Sequence, residues 1–386
     1  MMSIDRGSFV GTNCKLRFNY IFNYVIQKFW YTLNMNFQES VPLAPLTTFK
    51  IGGPAKYFCK VKDQFDALEA FEFAKARNLP IFILGGGSNL LVSDKGFNGL
   101  VIKVVNKGIE VIKESNTEVL LKAASGENWD ELVKFCAGNG WWGIENLSHI
   151  PGSTGAVAVQ NVGAYGQEAG NVIESVAVFD RQTGQILTLN NSDCGFAYRK
   201  SIFNGEKKGQ YIIFYIYFRL SKTPKPVLSY RDMATRFSGQ QPSLIEIRQA
   251  IIEIRNKKYP FPVEAKNGNA GSFFKNIVLD EAASKTLLGK VENRFGLEAK
   301  DALQKKLFVS NNGVVKVPTA ALMELLGLKN LSIGGAKIKP SQPLVIINET
   351  GSATASDVLD LAKKVIGSIE KSFELRVEIE PNLLGF

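Results

Sequence analysis

The stretch that most restricts the fold is ILGGGSNLLV at residues 83–92. An apolar run ending at Leu84 reads as a buried strand, after which Gly85, Gly86 and Gly87 make a turn without side chains. Such a turn lets backbone N–H groups close on an anion, and Ser88 and Asn89 add short polar partners. Leu90, Leu91 and Val92 then return to an apolar strand. That departs from the dinucleotide fingerprint G-x-G-x-x-G, which runs into a helix, and the turn lacks the lysine of a P-loop. On local grounds two readings stand: a tight turn between strands, and an anion cradle.

At 386 residues the chain is long enough for two or three domains with sizeable cores. A formal net charge of +10 invites a nucleic-acid or anionic partner. The lysines and arginines are scattered rather than blocked, so a small phosphorylated ligand fits better than a polyanion. Cys14, Cys59, Cys136 and Cys194 show neither C-x-x-C spacing nor a dense framework, which suits reduced thiols in a cytoplasmic protein. His149 is the only histidine, which argues against a His-based triad or a multi-His metal site.

Residues 1–34 differ from the rest, with eight aromatics and four Lys/Arg against one Asp. Asn19, Asn23, Gln27 and Lys28 break its most apolar part, so it is too polar and too short to span a bilayer. An interfacial amphipathic segment is one reading; a dispensable extension before Met35 is the expected one. From Thr47, TTFKIGGPAKYFCKV gives a turn leading into a strand. A helix over 65–77, with Leu68, Phe71 and Ala74 on one face, and a strand at 81–84 complete a small α/β unit. Further strands are expected at 100–105 and 118–123, and a helix over 129–139 with Asn128 as its N-cap.

IPGSTGAVAVQNVGAYG at 150–166 is an uncharged, small-residue stretch containing Gly152, Gly155, Gly163 and Gly166, and it reads as a loop. Such a loop exposes backbone donors or lets two surfaces approach closely. Strands follow at 172–180 and 211–220, then a helix over 243–258 ended by Pro260 and Pro262. The remainder reads as helix-rich, with helices at 302–306, 319–326 and 355–373, a strand at 343–347 and a closing strand at 375–380.

TTFKIGGPA, ILGGGSNLLV, ENLSHIPGSTGAVAVQNVGAYG, FAYRKSIF, VLSYRDM, NGNAGSFFKN and SIGGAKI occur in this order. In that order they resemble the UDP-N-acetylenolpyruvoylglucosamine reductases, flavoenzymes of bacterial cell-wall synthesis, over residues 35–386. The resemblance implies an α+β chain: a two-part FAD-binding region of the vanillyl-alcohol-oxidase-like type, plus a C-terminal α+β substrate-binding domain. It divides the chain into an extension at 1–34, FAD-binding parts at 35–105 and 106–252, a substrate domain at 253–376, and a strand at 377–386 returning to the site. It implies an oxidoreductase in which NADPH, through FAD, reduces the enolpyruvyl double bond of UDP-N-acetylglucosamine-enolpyruvate to UDP-N-acetylmuramate. A cytoplasmic monomer is expected, with a UDP-sugar substrate, no nucleic acid, no resident metal and no stable membrane insertion. The alternatives are an FAD-dependent sugar or alcohol oxidase, and a non-catalytic flavin-binding relative.

The resemblance also assigns residues. Gly85, Gly86, Gly87, Ser88 and Asn89, with Pro151, Gly152, Ser153 and Gly155, match the flavin pyrophosphate cradle, and Gly163, Ala164 and Tyr165 lie close to the cofactor. Hydride addition to the terminal carbon leaves charge beside the substrate carboxylate, which calls for a cation and donors there. Arg199 matches that cation, Ser272 the proton donor, and Glu380 a C-terminal acid. The Glu380 register is the ungapped one, which keeps Leu375, Val377 and Ile379 on one side of a strand; matching the E-P dipeptide instead would put Asn382 in its place. Tyr230, Lys258, Asn276 and Gln342 match contacts to the diphosphate and sugar, and Arg255 is expected to face the same site as Lys258. Tyr230 places the chain with the members carrying a substrate-capping tyrosine loop. His149 is expected only to pack or hydrogen-bond.

Overall fold

The computed structural model describes residues 35–258, 266–310 and 313–386. The extension at 1–34 and Pro260 and Pro262 lie outside the described residues.

Residues 38–104 form a four-stranded sheet. In chain order this stretch carries β1 (Gln38–Pro42), β2 (Pro54–Val61), helix α1 (Gln64–Ala76), β3 (Ile81–Leu84), β4 (Leu90–Val92) and β5 (Phe97–Val104). The order is β1-β2-β5-β3, with β2 and β3 both parallel to β5 and β4 outside the sheet. Parallel strands need a crossover, and α1 supplies it. Asp63 caps that helix by accepting from the N–H groups of Phe65 and Asp66, and Ala67, Ala70, Phe71 and Ala74 form its buried face.

Residues 109–221 build an antiparallel five-stranded sheet ordered β11-β10-β12-β7-β6. Its chain order is β6 (Ile109–Glu114), β7 (Glu118–Ala124), α2 (Trp129–Gly138), α3 (Thr154–Val159), the short β8 (Gly163–Ala164) and β9 (Gln167–Glu168), β10 (Ile173–Asp180), β11 (Gln185–Asn190) and β12 (Tyr211–Ser221). Asn128 caps α2 as expected, accepting from Glu131 N at 3.1 Å. Trp129 is fully buried and its indole N–H donates to Leu147 O at 2.9 Å. The stretch at 150–166 is not a plain loop, because Thr154–Val159 is helical, with Val157 and Ala158 buried in the core of this sheet. Helices α4 (Arg231–Arg236) and α5 (Leu244–Lys258) follow; α4 is too short to leave a periodic signal.

The C-terminal part comprises β13 (Ile277–Leu279), α6 (Glu281–Phe295), α7 (Leu297–Gln304), β14 (Phe308–Val309), β15 (Val315–Val317), α8 (Thr319–Leu325), β16 (Ser332–Ile333), β17 (Ala336–Ile338), β18 (Ile346–Asn348), α9 (Ala355–Phe373) and β19 (Asn382–Leu384). Its core gathers the fully buried Phe273 and Phe274 with the apolar face of α9. Thr354 and Asp357 form a capping box on α9, and Asp94, from the β4–β5 connection, also accepts from Ala355 N and Ser356 N at 2.7 and 3.1 Å. A carboxylate from the first sheet therefore satisfies the start of a helix in the last part.

The closing strand lies further on than the apolar alternation suggests. Val377 is buried, and Leu375 and Ile379 pack on the C-terminal core, so the alternation is real. Yet 375–380 makes only a single bridge, Ile379 to Phe274. The ladder is β19, which pairs in parallel with β4 and so brings the chain end beside the glycine turn. No helix among the described residues is long and apolar enough to cross a membrane.

Candidate active site

The two glycine-bearing loops meet backbone to backbone. A Cβ added at Gly86 would stand 2.5 Å from Gly152 Cα, and one at Gly85 would stand 2.6 Å from Ser153 Oγ. Gly87 has φ +67°, and its carbonyl accepts from Thr48 N at 3.1 Å. Thr48 also exchanges hydrogen bonds with Asn269, donating through Oγ1 at 2.7 Å and accepting from Asn269 N at 3.1 Å. TTFK thus ties the glycine turn to the NGNAGSFF turn, two segments nearly two hundred residues apart.

These loops wall a cavity of about 350 Å³. Gly85, Gly86, Gly87, Ser88, Asn89, Pro151, Gly152, Ser153, Gly155, Gly163 and Ala164 all line it, and so do Arg199, Ser272, Glu380, Arg255 and Asn382. Of the residues assigned to the cofactor, Tyr165 stands behind the wall, buried and with φ +48°. The cavity wall has the features of an anion cradle, which a flavin diphosphate would fit. None of the backbone N–H groups of Gly86, Gly87, Ser88, Gly152 and Ser153 donates a backbone hydrogen bond within the described residues. Ser125 Oγ is buried on the cavity wall without a hydrogen-bond partner among the described residues. Side chains at 85 and 86 would fill the space where the loops close.

Arg199 sits at the centre of a two-residue turn, with Ala197 and Lys200 exchanging backbone bonds at 3.0 Å. Its φ of +55° is unusual for a residue with a side chain and costs on the order of 1 kcal/mol. Asn204 Nδ2 bonds its carbonyl at 3.1 Å, and its own Nη1 donates to Gly163 O at 3.1 Å. The guanidinium Nε lies 2.7 Å from Glu380 Oε1, as an ion pair rather than an aligned hydrogen bond. Only a tenth of the Glu380 side chain is exposed. Burial pushes its carboxyl above the usual range, and the opposing pull of Arg199 does not cancel this. A carboxyl in that state holds a proton more readily than an exposed glutamate does.

Glu380 is set in place from both sides. Its N–H donates to Phe273 O at 2.9 Å, and its carbonyl accepts from Asn89 Nδ2 at 3.4 Å. Asn89 also bonds Gln160, and its carbonyl receives Asn382 N at 3.0 Å. Ser272 lies on the same wall, between Gly271 (φ +74°) and the buried Phe273 and Phe274. Its hydroxyl has no partner among the described residues.

Of the other assigned residues, Tyr230, Lys258 and the turn bearing Gln342 form a second group. Tyr230 packs edge-on to Tyr165 with centroids 5.2 Å apart, and Lys258 Nζ lies 5.6 Å from the centre of the Tyr165 ring. Lys258 pairs with Asp232, and its carbonyl accepts from Ser341 Oγ at 3.1 Å, which brings the turn bearing Gln342 beside it. Asn276 accepts from Thr319 N at 3.3 Å. Arg255 and Lys258 part company: Arg255 is buried on the cavity wall and donates to His149 O at 2.8 Å.

His149 takes a structural place. Its N–H donates to Asp130 Oδ1 at 2.5 Å, and Arg248 grips the same carboxylate at 2.6 and 3.0 Å. Burial raises the Asp130 carboxyl, but Arg248 and His149 N–H pull it further the other way, to a net lowering. Its contribution to stability is therefore complete above the ordinary carboxylate range and is lost as pH falls through the lowered folded value. Asp130→Asn should cost roughly 3 kcal/mol at neutral pH. Denaturant midpoints of the two proteins should converge as the medium is acidified; a constant gap would show that the loss is not electrostatic.

Gln160, Ser125, Tyr198 and Lys316 were not singled out by sequence reasoning. Gln160 stands within the QNVGAYG run, a position that could have flagged it. Lys316 Nζ lies 3.8 Å from the centre of the Tyr198 ring, next to Arg199 in the chain, and nothing local in VVKVP marks it.

A model of an FAD binding domain matches residues 55–190, and one of the UDP-N-acetylenolpyruvoylglucosamine reductase C-terminal domain matches residues 262–384. Curated reductases of that name from Amoebophilus asiaticus and Chromobacterium violaceum are 38% and 34% identical, each alignment covering 91% of this chain and 100% of the relative. The solved structure of UDP-N-acetylenolpyruvylglucosamine reductase from Thermus caldophilus is 24% identical with a TM-score of 0.63, covers 91% of this chain and 100% of its own, and shares the fold. With relatives matched over their full length and both domain models matched, this chain belongs to the UDP-N-acetylenolpyruvoylglucosamine reductase family.

Proposed function

We propose that this protein uses NADPH to reduce the enolpyruvyl double bond of UDP-N-acetylglucosamine-enolpyruvate, giving UDP-N-acetylmuramate for peptidoglycan precursors. The observation that carries this reading is the meeting of Arg199, Ser272 and Glu380, from three distant segments, on the cavity walled by the glycine loops. Residues 85–89 and 151–155 would hold FAD, which would supply the hydride-transfer chemistry between NADPH and the substrate.

Hydride adds to the terminal carbon of the double bond, and the electron pair moves toward the carboxylate as an enediolate. Arg199 holds that carboxylate and offsets the growing charge with a guanidinium that stays ionised. Ser272 gives its proton to the carbon bearing the carboxylate, which completes the saturated product; its oxygen then needs a proton back. Glu380, with its raised affinity for a proton and its place against Arg199, is positioned to stabilise the intermediate and share that proton. Tyr230, Lys258, Asn276 and Gln342 would hold the diphosphate and sugar, and Arg255 adds a cation on the cavity wall. We place the reaction in the cytoplasm, in a monomer, where it bears on cell shape and division through the wall.

An oxidase would find no use for a proton donor and an acid on the cavity wall, and the curated relatives favour the reductase. Purified protein should be yellow and release FAD, not FMN, on heating. NADPH should bleach it anaerobically and the enolpyruvyl substrate restore the colour. A colourless protein that takes up no added FAD overturns the reading.

A further inference from the structure

Asn146 lies in the turn Glu145–Leu147 and is wholly buried. Its side-chain Nδ2 donates to two main-chain carbonyls, those of Tyr165 and Val227, at 2.8 Å each. Its Oδ1 has no partner among the described residues. That asymmetry fixes the amide's orientation, because the reverse flip would set an oxygen against two carbonyl oxygens. The turn itself is held: Asn146 N donates to Gln167 Oε1 at 2.8 Å, Gln167 Nε2 donates to Glu145 Oε1 at 2.7 Å, and Glu145 Oε2 accepts from Gly143 N at 2.7 Å.

The two carbonyls belong to two different tasks. Tyr165 follows Gly163 and Ala164 of the cavity wall. Val227 lies in the segment that leads from β12 to Tyr230. The pieces touch, since a Cβ added at Gly166 would stand 3.0 Å from Val227 Cγ1. Three residues beyond Val227, the Tyr230 ring rests on the Tyr165 ring.

We propose that Asn146 is a positioning residue whose single amide pins the Tyr230 segment to the turn behind the flavin cavity. Without the pin, Tyr230 loses its fixed distance from Tyr165 and the UDP-sugar loses its cover. The consequence for substrate rests on the reading of Tyr230 given above; the pin itself does not.

Asn146→Asp replaces one or both donors by an oxygen facing two carbonyls. In the FAD-loaded full chain, KM for UDP-N-acetylglucosamine-enolpyruvate should rise roughly ten- to a hundredfold. Flavin content and the rate of NADPH bleaching should stay within about twofold of the parent. Added to Tyr230→Ala, the substitution should raise KM little further, because both act through the same ring. Hydrogen exchange of the amides at 222–230 should speed up while those of α2 stay protected. If Asn146→Asp fails to fold, Asn146→Ser, too short to reach both carbonyls, carries the same comparisons. Unchanged exchange at 222–230, additive KM effects, or equal slowing of both half-reactions would overturn the proposal. A parent enzyme that turned over no enolpyruvyl substrate would sink the functional reading instead, and the exchange comparison would still decide the pin.

Discussion

Ser272→Ala should slow reoxidation of the enzyme by its enolpyruvyl substrate by roughly 10²–10⁴-fold, the usual loss when a positioned acid is removed. That corresponds to about 3–5 kcal/mol of barrier. Bleaching by NADPH needs no proton at the substrate carbon and should stay near the parent rate. The substitution is a clean one because the backbone does not depend on the hydroxyl. Phe273 N donates to Leu344 O at 2.6 Å, Ser272 bridges to Val345, and the buried Phe273 and Phe274 anchor the segment from the other side. A methyl group therefore leaves the turn in place and removes only the proton. Stopped-flow absorbance of the flavin separates the two halves. Equal slowing of both would mean that the shared cavity had been damaged and that Ser272 is not the donor.

Much of the site could be read in the sequence because its constraints are local. A turn such as Gly85–Gly86–Gly87 excludes side chains whatever surrounds it, and the close approach to Gly152 and Ser153 shows why. The partition of roles is different, because it depends on what distant segments bring together. Asn146 looks like any polar residue in ENLSHI, and only the fold reveals that its amide faces two carbonyls. Arg255 and Lys258, one helical turn apart, suggested one shared site; α5 instead points Arg255 to the flavin cavity and Lys258 to Tyr165.

Secondary structure failed for similar reasons. Helix α6 went unseen because it buries only Ser284, Leu287, Leu288 and Val291, a narrow stripe in a polar segment. Strand β11 is an edge strand, largely exposed, and Gln185, Thr188 and Asn190 interrupt the apolar Ile186, Leu187 and Leu189. The expected helix at 302–306 is the end of α7, which starts earlier and stops at Gln304. The strand expected at 343–347 begins at Ile346, where β18 pairs with β17.

The C-terminal register is decided by comparing Glu380→Gln with Asn382→Ala. Both residues line the cavity, so position alone does not rank them. Their chemistry does. Glu380 Oε1 stands 2.7 Å from Arg199 Nε, in a setting where burial raises its affinity for a proton. Asn382 is engaged through its backbone, donating to Asn89 O at 3.0 Å as β19 begins, and an alanine keeps that bond. Glu380→Gln keeps the shape and the burial but can neither carry a proton nor offset the guanidinium. Turnover should fall by roughly two orders of magnitude or more, with flavin content little changed. Asn382→Ala forfeits at most a side-chain hydrogen bond of about 1 kcal/mol, or under tenfold in rate. The pH profile adds an independent readout, since the limb that belongs to Glu380 should vanish in Glu380→Gln and persist in Asn382→Ala. The reverse ranking, with Asn382→Ala nearly dead and Glu380→Gln nearly normal, would place the acid's role elsewhere and leave the Arg199–Glu380 pair as scaffolding.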